Sequence, residues 1–292
     1  MMRSLSGVFG PVTTPFVTGS EDLDLEGFAA NVRAHLAEGL SGIVVAGSTG
    51  EAALLAEDER VRLLSTARPL IAADQWLIAG CGAESTRQTV ARCAAAKGAG
   101  ADAVLVVAPH YYASSMQMAE LRTHYRRVAD ESPLPVMLYN IPKYMHFALP
   151  AELVAELAEH ENVIGIKDSS GSLDQLAGFL KAQSDSFSVI TGSGSTFRAA
   201  LEAGARGGIL AVSLFAADLT LKVLRGVQTA NAHGITEAQA ALKPMADVIV
   251  AKLGVPGVKA ALDAVGKVGG VPRQPLLALD AGGRAEVAGV LA

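Results

Sequence analysis

The sequence predicts a (β/α)8 TIM barrel with a C-terminal helical extension, and three observations carry that expectation. Eight short apolar runs recur between residues 7 and 213. Helix-like stretches separate them in strict alternation. The polar and reactive side chains gather just after the runs, which is where barrels of this kind keep their active sites.

The runs are 7–13, 42–48, 76–80, 103–108, 135–139, 163–167, 188–191 and 208–213. Each is continuously apolar rather than alternating, as parallel strands buried on both faces require. The helical stretches are 25–38, 58–72, 85–97, 116–131, 150–159, 173–183, 195–203 and 216–230. Three segments, EGLSGIVVAGS, KGAGADAVLVVAP and EAGARGGILAVS, repeat one arrangement. In each a helix ends near glycine, the usual residue just past a helix, and a strand follows. A doubly wound open sheet is the alternative fold, but no GxGxxG opens any of the eight units. After residue 230 the strand pattern stops. Stretches 235–253, 256–266 and 284–292 read as helices, with Gly254, Pro256, Gly269, Gly270, Pro272 and Pro275 in the links. The expected organisation is a barrel over 1–230 and a helical appendage, 231–292, packed on it.

Composition narrows the function classes. The chain has 292 residues, is 50% hydrophobic and only 18% charged, and carries a formal net charge of −5. Without a basic cluster, nucleic acid is not expected as a partner. The longest apolar runs are strand-length, so no membrane span is expected. MMRSLSGVFGPV at the N-terminus lacks the apolar core of a signal peptide. Cys81 and Cys93 have no metal-ligand spacing and read as reduced residues of a cytoplasmic protein. Six scattered histidines form no HxH or HExxH, so no metal is expected.

The chemistry centres on NVIGIKDSSG, residues 162–171. A strand ends there in Lys167. An ammonium beside a buried strand is costly, and burial favours the free amine, a carbonyl nucleophile. The plainer reading is a lysine that snorkels to water. One strand earlier, Tyr139 sits where a phenol can relay protons, or where a core tyrosine can hide its ring. The turn Gly47-Ser48-Thr49-Gly50-Glu51 offers N–H groups and hydroxyls in an arc that suits an anion such as a carboxylate. Tyr111 lies in the aromatic loop PHYYASSM, which reads as a subunit contact. Gly192–Gly194 together with Gly207 and Gly208 form a second glycine-rich region, which in this fold often holds phosphate.

Taken together, GPVTTPF (10–16), GSTGE (47–51), IAGCGAEST (78–86), APHYY (108–112), YNIP (139–142), GIKDSSG (165–171) and ITGSG (190–194) resemble the dihydrodipicolinate synthase / N-acetylneuraminate lyase family. The likeness spans essentially the whole chain. It implies a homotetramer of barrels that uses no cofactor. It implies that Lys167 forms a Schiff base with a 2-oxo acid, usually pyruvate, and that Tyr139 is the proton shuttle. Ser48 would hydrogen-bond that phenol. Thr49, with Ser48, Gly50 and Gly192 around it, would hold the substrate, and Tyr111 resembles the aromatic that a neighbouring subunit contributes. One position departs from the pattern. The synthases carry an arginine shortly after the YNIP tyrosine, to bind the second substrate's carboxylate, and here Tyr144 stands in its place beside Lys143. GIKDSSG and GARGGILAVS look more like the 2-keto-3-deoxy-sugar-acid and 4-hydroxy-2-oxoglutarate aldolase branches. The expected activity is therefore cofactor-independent making or breaking of a C3–C4 bond in a pyruvate-derived 2-oxo acid, with Tyr144 facing the second substrate. The alternatives are 4-hydroxy-tetrahydrodipicolinate synthase, a phosphate-binding barrel isomerase, and a non-catalytic 2-oxo acid binding protein.

Overall fold

Every one of the eight apolar runs contributes a strand. The computed structural model describes residues 5–229 and 234–292. The strands are β1 (Gly7–Pro11), β2 (Gly42–Val45), β3 (Trp76–Gly80), β4 (Ala103–Val107), β5 (Val136–Asn140), β6 (Val163–Asp168), β7 (Ser188–Thr191) and β8 (Gly207–Ile209). They pair in chain order, all parallel, and β8 returns to β1 to close the barrel. Nearly every strand residue is buried, because side chains alternate between the barrel interior and the ring of helices outside.

Around the strands run α1 (Leu25–Ala37), α2 (Glu57–Ala67), α3 (Thr86–Gly98), α4 (Met118–Glu131), α5 (Pro142–Met145), α6 (Ala151–Leu157), α7 (Leu173–Leu180), α8 (Phe197–Glu202) and α9 (Ala217–Gln228). Their starts follow local chemistry. The Asp24 carboxylate accepts the Gly27 N–H at 2.8 Å, and Ser85 and Ser172 cap α3 and α7 in the same way. The α4 helix buries Leu121, Tyr125 and Val128 against the barrel. Each such side chain contributes about 1.5–3 kcal/mol by leaving water.

Three elements differ most from expectation: β2 stops at Val45, and Ser48 opens a 3₁₀ turn. The eighth strand stops at Ile209, and Ala211–Leu214 forms a tight 3₁₀ turn instead. There the Ser213 hydroxyl and N–H both donate to the Leu210 carbonyl, which competes with the sheet ladder. Helix α5 was not expected. It opens on Pro142, whose fixed φ suits a first helical position, but four residues are too few to show a helical period.

The C-terminal extension comprises α10 (Ile235–Pro244), a π-helical stretch Met245–Lys252, α11 (Gly254–Ala264) and α12 (Ala281–Leu291). The expected barrel boundary at 230/231, and the last residue of the expected helix 216–230, lie outside the described residues. A buried ion pair fastens the extension to the barrel. Lys259 Nζ of α11 lies 2.5 Å from Glu51 Oε1, with both side chains almost fully buried. Lys259 also donates to the Val271 carbonyl at 2.6 Å and lies 4.7 Å from the Phe16 ring centre. Burial pushes the Lys259 ammonium down from its ordinary range, and Glu51 opposes that shift. The other Glu51 oxygen accepts the Arg273 N–H at 2.8 Å, while the Arg273 guanidinium grips both Glu59 oxygens at 2.7 Å. Among the described residues no helix is long and apolar enough to cross a membrane.

His124 of α4 gives the fold a pH dependence. Its ring is buried, with Nδ1 2.9 Å from Thr86 Oγ1 and Nε2 unpartnered. Burial lowers its pKa from 6.5 to about 4. The unfolded chain therefore takes up the proton first as pH falls. Stability is fully present above pH 6.5 and is lost between there and pH 4, by at most roughly 3 kcal/mol from this group. Urea midpoints measured from pH 7 to pH 4 should fall, and His124→Gln should flatten the fall. An unchanged slope in the variant would refute the assignment to His124.

Candidate active site

The site begins with the register of β5 and β6. Tyr139 stands opposite Lys167, so the two side chains project at one level from adjacent strands. Lys167 is 6% exposed, and its Nζ lies 4.2 Å from the centre of the Tyr139 ring. No described carboxylate is within ion-pair distance of that nitrogen, so the ring face is its main cation partner. The next residue, Asp168, points the other way. Its carboxylate accepts from Asn140 Nδ2 at 2.7 Å, from the Ser170 hydroxyl at 2.8 Å and from the Ser170 N–H at 3.0 Å. Burial raises the Asp168 pKa against those hydrogen bonds. Asn140 in turn accepts the Leu149 N–H at 2.9 Å. This network ties the loops after β5 and β6 together beneath the lysine, a role that the motif alone did not disclose.

From β2 comes the turn that faces the phenol. Ser48 Oγ lies 3.5 Å from Tyr139 Oη, at the outer limit of a hydrogen bond. Ser48 and Thr49 both line a cavity of about 320 Å³ with Tyr139 and Lys167. Gly50 does not line it. Its N–H is donated to the Gly47 carbonyl, and its own carbonyl accepts Thr14 Oγ1 at 2.7 Å. Gly50 thus shapes the turn from below, in place of the substrate contact expected of it. Glu51, the last residue of the motif, also turns away, toward Lys259.

Gly192, after β7, lines the cavity beside the lysine. A Cβ there would overlap Ser169 Oγ and stand 3.0 Å from Lys167 Cε, so only glycine leaves the amine's path clear. Gly207 and Gly208 do not join it. They are buried strand residues, and a Cβ on Gly207 would overlap the Gly7 backbone. Close strand packing accounts for them, and the expected phosphate cradle loses two of its glycines.

Tyr144, on α5, lines the mouth and is 42% exposed. Burial of part of the ring, with Tyr139 nearby, raises the pKa of its phenol. Beside it Lys143 reaches across the mouth and donates to the Ala251 carbonyl at 2.9 Å. The opposite wall was not foreseen from the motifs. Ala246, Val250, Ala251, Gly254, Val255 and Val258 of the C-terminal extension supply it. Among the described residues, two lysines and no Asp or Glu line the cavity, so it favours anions. Tyr111 lies apart. It is 78% exposed on the loop after β4, stacked edge-on against Tyr112 at 5.0 Å, and the His110 and Tyr111 N–H groups both donate to Glu84. It does not reach the cavity of its own chain.

Comparison with known proteins agrees with this geometry. A model of the dihydrodipicolinate synthetase family matches residues 4–292. The 4-hydroxy-tetrahydrodipicolinate synthase of an Exiguobacterium species is 32% identical, over 97% of this chain and 95% of its own. Dihydrodipicolinate synthase from Bacillus anthracis superposes with a TM-score of 0.94 at 27% identity, covering 99% of this chain and 98% of that one. The Acinetobacter baumannii synthase, solved in complex with pyruvate, gives 0.92 at 26% identity, covering 99% and 98%. The chain belongs to the dihydrodipicolinate synthetase family and is a class I, Schiff-base carbon–carbon lyase of that family.

Proposed function

We propose that Lys167 forms the Schiff base with pyruvate, or with a pyruvate-derived 2-oxo acid, and that a C3–C4 bond is made or broken on that adduct. The observation that carries this is one buried amine at a strand end, stacked on a tyrosine whose hydroxyl faces Ser48. The neutral amine attacks the C2 carbonyl, and water leaves as the iminium forms. That iminium accepts the electron pair of the C3–C4 bond in cleavage, giving an enamine and an aldehyde. In condensation the enamine carbon attacks the aldehyde instead. Tyr139 moves the proton to or from the oxygen at C4, with Ser48 orienting the phenol. Thr49 and the backbone of its turn receive the C1 carboxylate.

The second substrate has two readings. The names of the relatives support 4-hydroxy-tetrahydrodipicolinate synthase, condensing pyruvate with aspartate semialdehyde, more than they support the aldolase branches. The mouth supports the aldolase reading instead: Tyr144 stands where the synthases place an arginine, and no arginine among the described residues lines the cavity. Within that reading, Lys143 favours 4-hydroxy-2-oxoglutarate over a 2-keto-3-deoxy sugar acid. The former carries a second carboxylate, which can replace the Ala251 carbonyl as acceptor for the Lys143 ammonium, a group with no carboxylate partner among the described residues. A homotetramer acting in the cytoplasm is proposed with it, Tyr111 reaching the site of a neighbouring subunit.

Borohydride with pyruvate should fix an adduct on the peptide that contains Lys167, and Lys167→Met should abolish it. Tyr139→Phe should keep the adduct and lower kcat by roughly 10²–10⁴, the usual worth of a positioned proton donor. An adduct on another lysine sinks the mechanism.

Catalytic efficiency should be compared for pyruvate plus aspartate semialdehyde and for pyruvate release from 4-hydroxy-2-oxoglutarate and 2-keto-3-deoxygluconate. The dicarboxylate should rank first, and Lys143→Met should weaken it on the order of tenfold, about 1.4 kcal/mol. A clear lead for the semialdehyde would make the chain a synthase with an unusual second pocket.

Sedimentation at micromolar concentration should give a tetramer, and Tyr111→Ala should lower activity without shifting the Lys167 adduct. A fully active monomer contradicts the role given to Tyr111.

A further inference from the structure

We infer that Lys259 is an electrostatic positioning residue for the substrate's C1 carboxylate: it cancels the charge of Glu51 at the turn that receives that carboxylate. The inference rests on the Schiff-base reading above, in which Ser48 and Thr49 face the 2-oxo acid.

The turn carries a contradiction in its own sequence. Ser48 and Thr49 line the cavity, yet Glu51 follows two residues later. Two residues of chain span at most about 7 Å, so the Glu51 carboxylate is rooted close to the proposed anion site. Its side chain is fully buried, where water cannot screen it. Uncompensated, it would oppose a second carboxylate in the cavity. The backbone reduces the conflict by geometry. Glu51 sits in the left-handed region, φ 58°, and turns its side chain from the mouth toward α11.

Lys259 completes the compensation. Its Nζ is 2.5 Å from Glu51 Oε1, and it has no described partner on the cavity side. The neighbouring Arg273 guanidinium adds positive charge near Glu51, but its hydrogen bonds go to Glu59, Leu54 and Glu21. Arg273 therefore hydrogen-bonds Glu51 only through its backbone N–H, and Lys259 is the cation in direct contact. Neither Glu51 nor Lys259 lines the cavity. Val258, one residue before Lys259, does, so the same pair also sets the distance between the turn and the opposite wall. Packing alone does not demand charges here, since an apolar pair of similar volume holds two elements together as well or better.

The distinguishing experiment uses two ligands and two variants of the full chain. Borohydride trapping at pH 8.5 is titrated with pyruvate, and with methyl pyruvate, which keeps the ketone and loses the negative charge. Lys259→Met should raise the half-saturating pyruvate concentration about tenfold or more, equal to about 1.4 kcal/mol, and should leave methyl pyruvate within about threefold. Glu51→Gln breaks the same pair with the opposite sign and should not raise it for pyruvate. The double variant Glu51→Gln/Lys259→Met should return pyruvate to near the wild-type value. Equal losses in both single variants, or parallel losses for both ligands, would reduce the pair to a structural clamp and overturn the inference. If Lys259→Met does not fold, Glu51→Gln decides: a raised pyruvate value overturns the inference and an unchanged or lowered one supports it. Absence of any pyruvate adduct in the wild type is a separate result, which removes the Schiff-base reading itself.

Discussion

One buried ion pair joins the two parts of the structure. Glu51 leaves the β2 turn and Lys259 leaves α11, and they meet where both are shielded from water. Removing one partner of such a pair costs roughly 3–5 kcal/mol, because the other charge stays buried and unpaired. Around it lie Phe16 beneath the two cations, the bidentate Arg273–Glu59 contact, and the amide of Asn31 bonded both ways to the Val268 backbone. Together these bring a helical segment from the end of the chain onto the mouth of a barrel formed by its beginning. The cavity exists because they meet.

Inside the cavity the arrangement is spare. The barrel places Lys167 on β6 and Tyr139 on β5 at one level, and the loops behind them are tied by Asp168 and Asn140. The amine is therefore held by a barrel strand, and the cavity hydroxyls of Ser48 and Thr49 come from a short turn. Gly192 keeps the space beside the lysine open. In the proposed mechanism such an arrangement would pre-set the geometry of attack, which supplies much of the rate of a covalent reaction.

Much of this was legible in the sequence because the relevant signals are local. Each strand is a continuous apolar run, and Lys167 and Tyr139 each close such a run, so topology alone makes them neighbours. Where the sequence misled, a hydroxyl or a short span was responsible. Ser213 bonded back to Leu210 and ended β8 early, and α5 was too brief to show a period. Gly50 belonged to a motif whose outline suggests an anion cradle, yet its N–H is spent inside the turn. The partnership of Glu51 with Lys259 joins distant parts of the chain, and no spacing rule links them. The same holds for the wall made by Ala246 to Val258, whose apolar residues read only as helix packing.

That wall has a consequence for how such an enzyme diversifies. The groups proposed for the bond-making step sit on β5, β6 and the turn after β2, while the opposite wall of the cavity belongs to the helical extension, distant from them in sequence. Changes there can redraw the outline of the mouth without disturbing the strands that hold the amine. Selection can therefore act on the two parts at different tempos, keeping the reaction while the range of accepted aldehydes drifts. Exchange of the helical extension between paralogues is a natural genetic route to a new preference, provided that the incoming segment carries a lysine to meet Glu51.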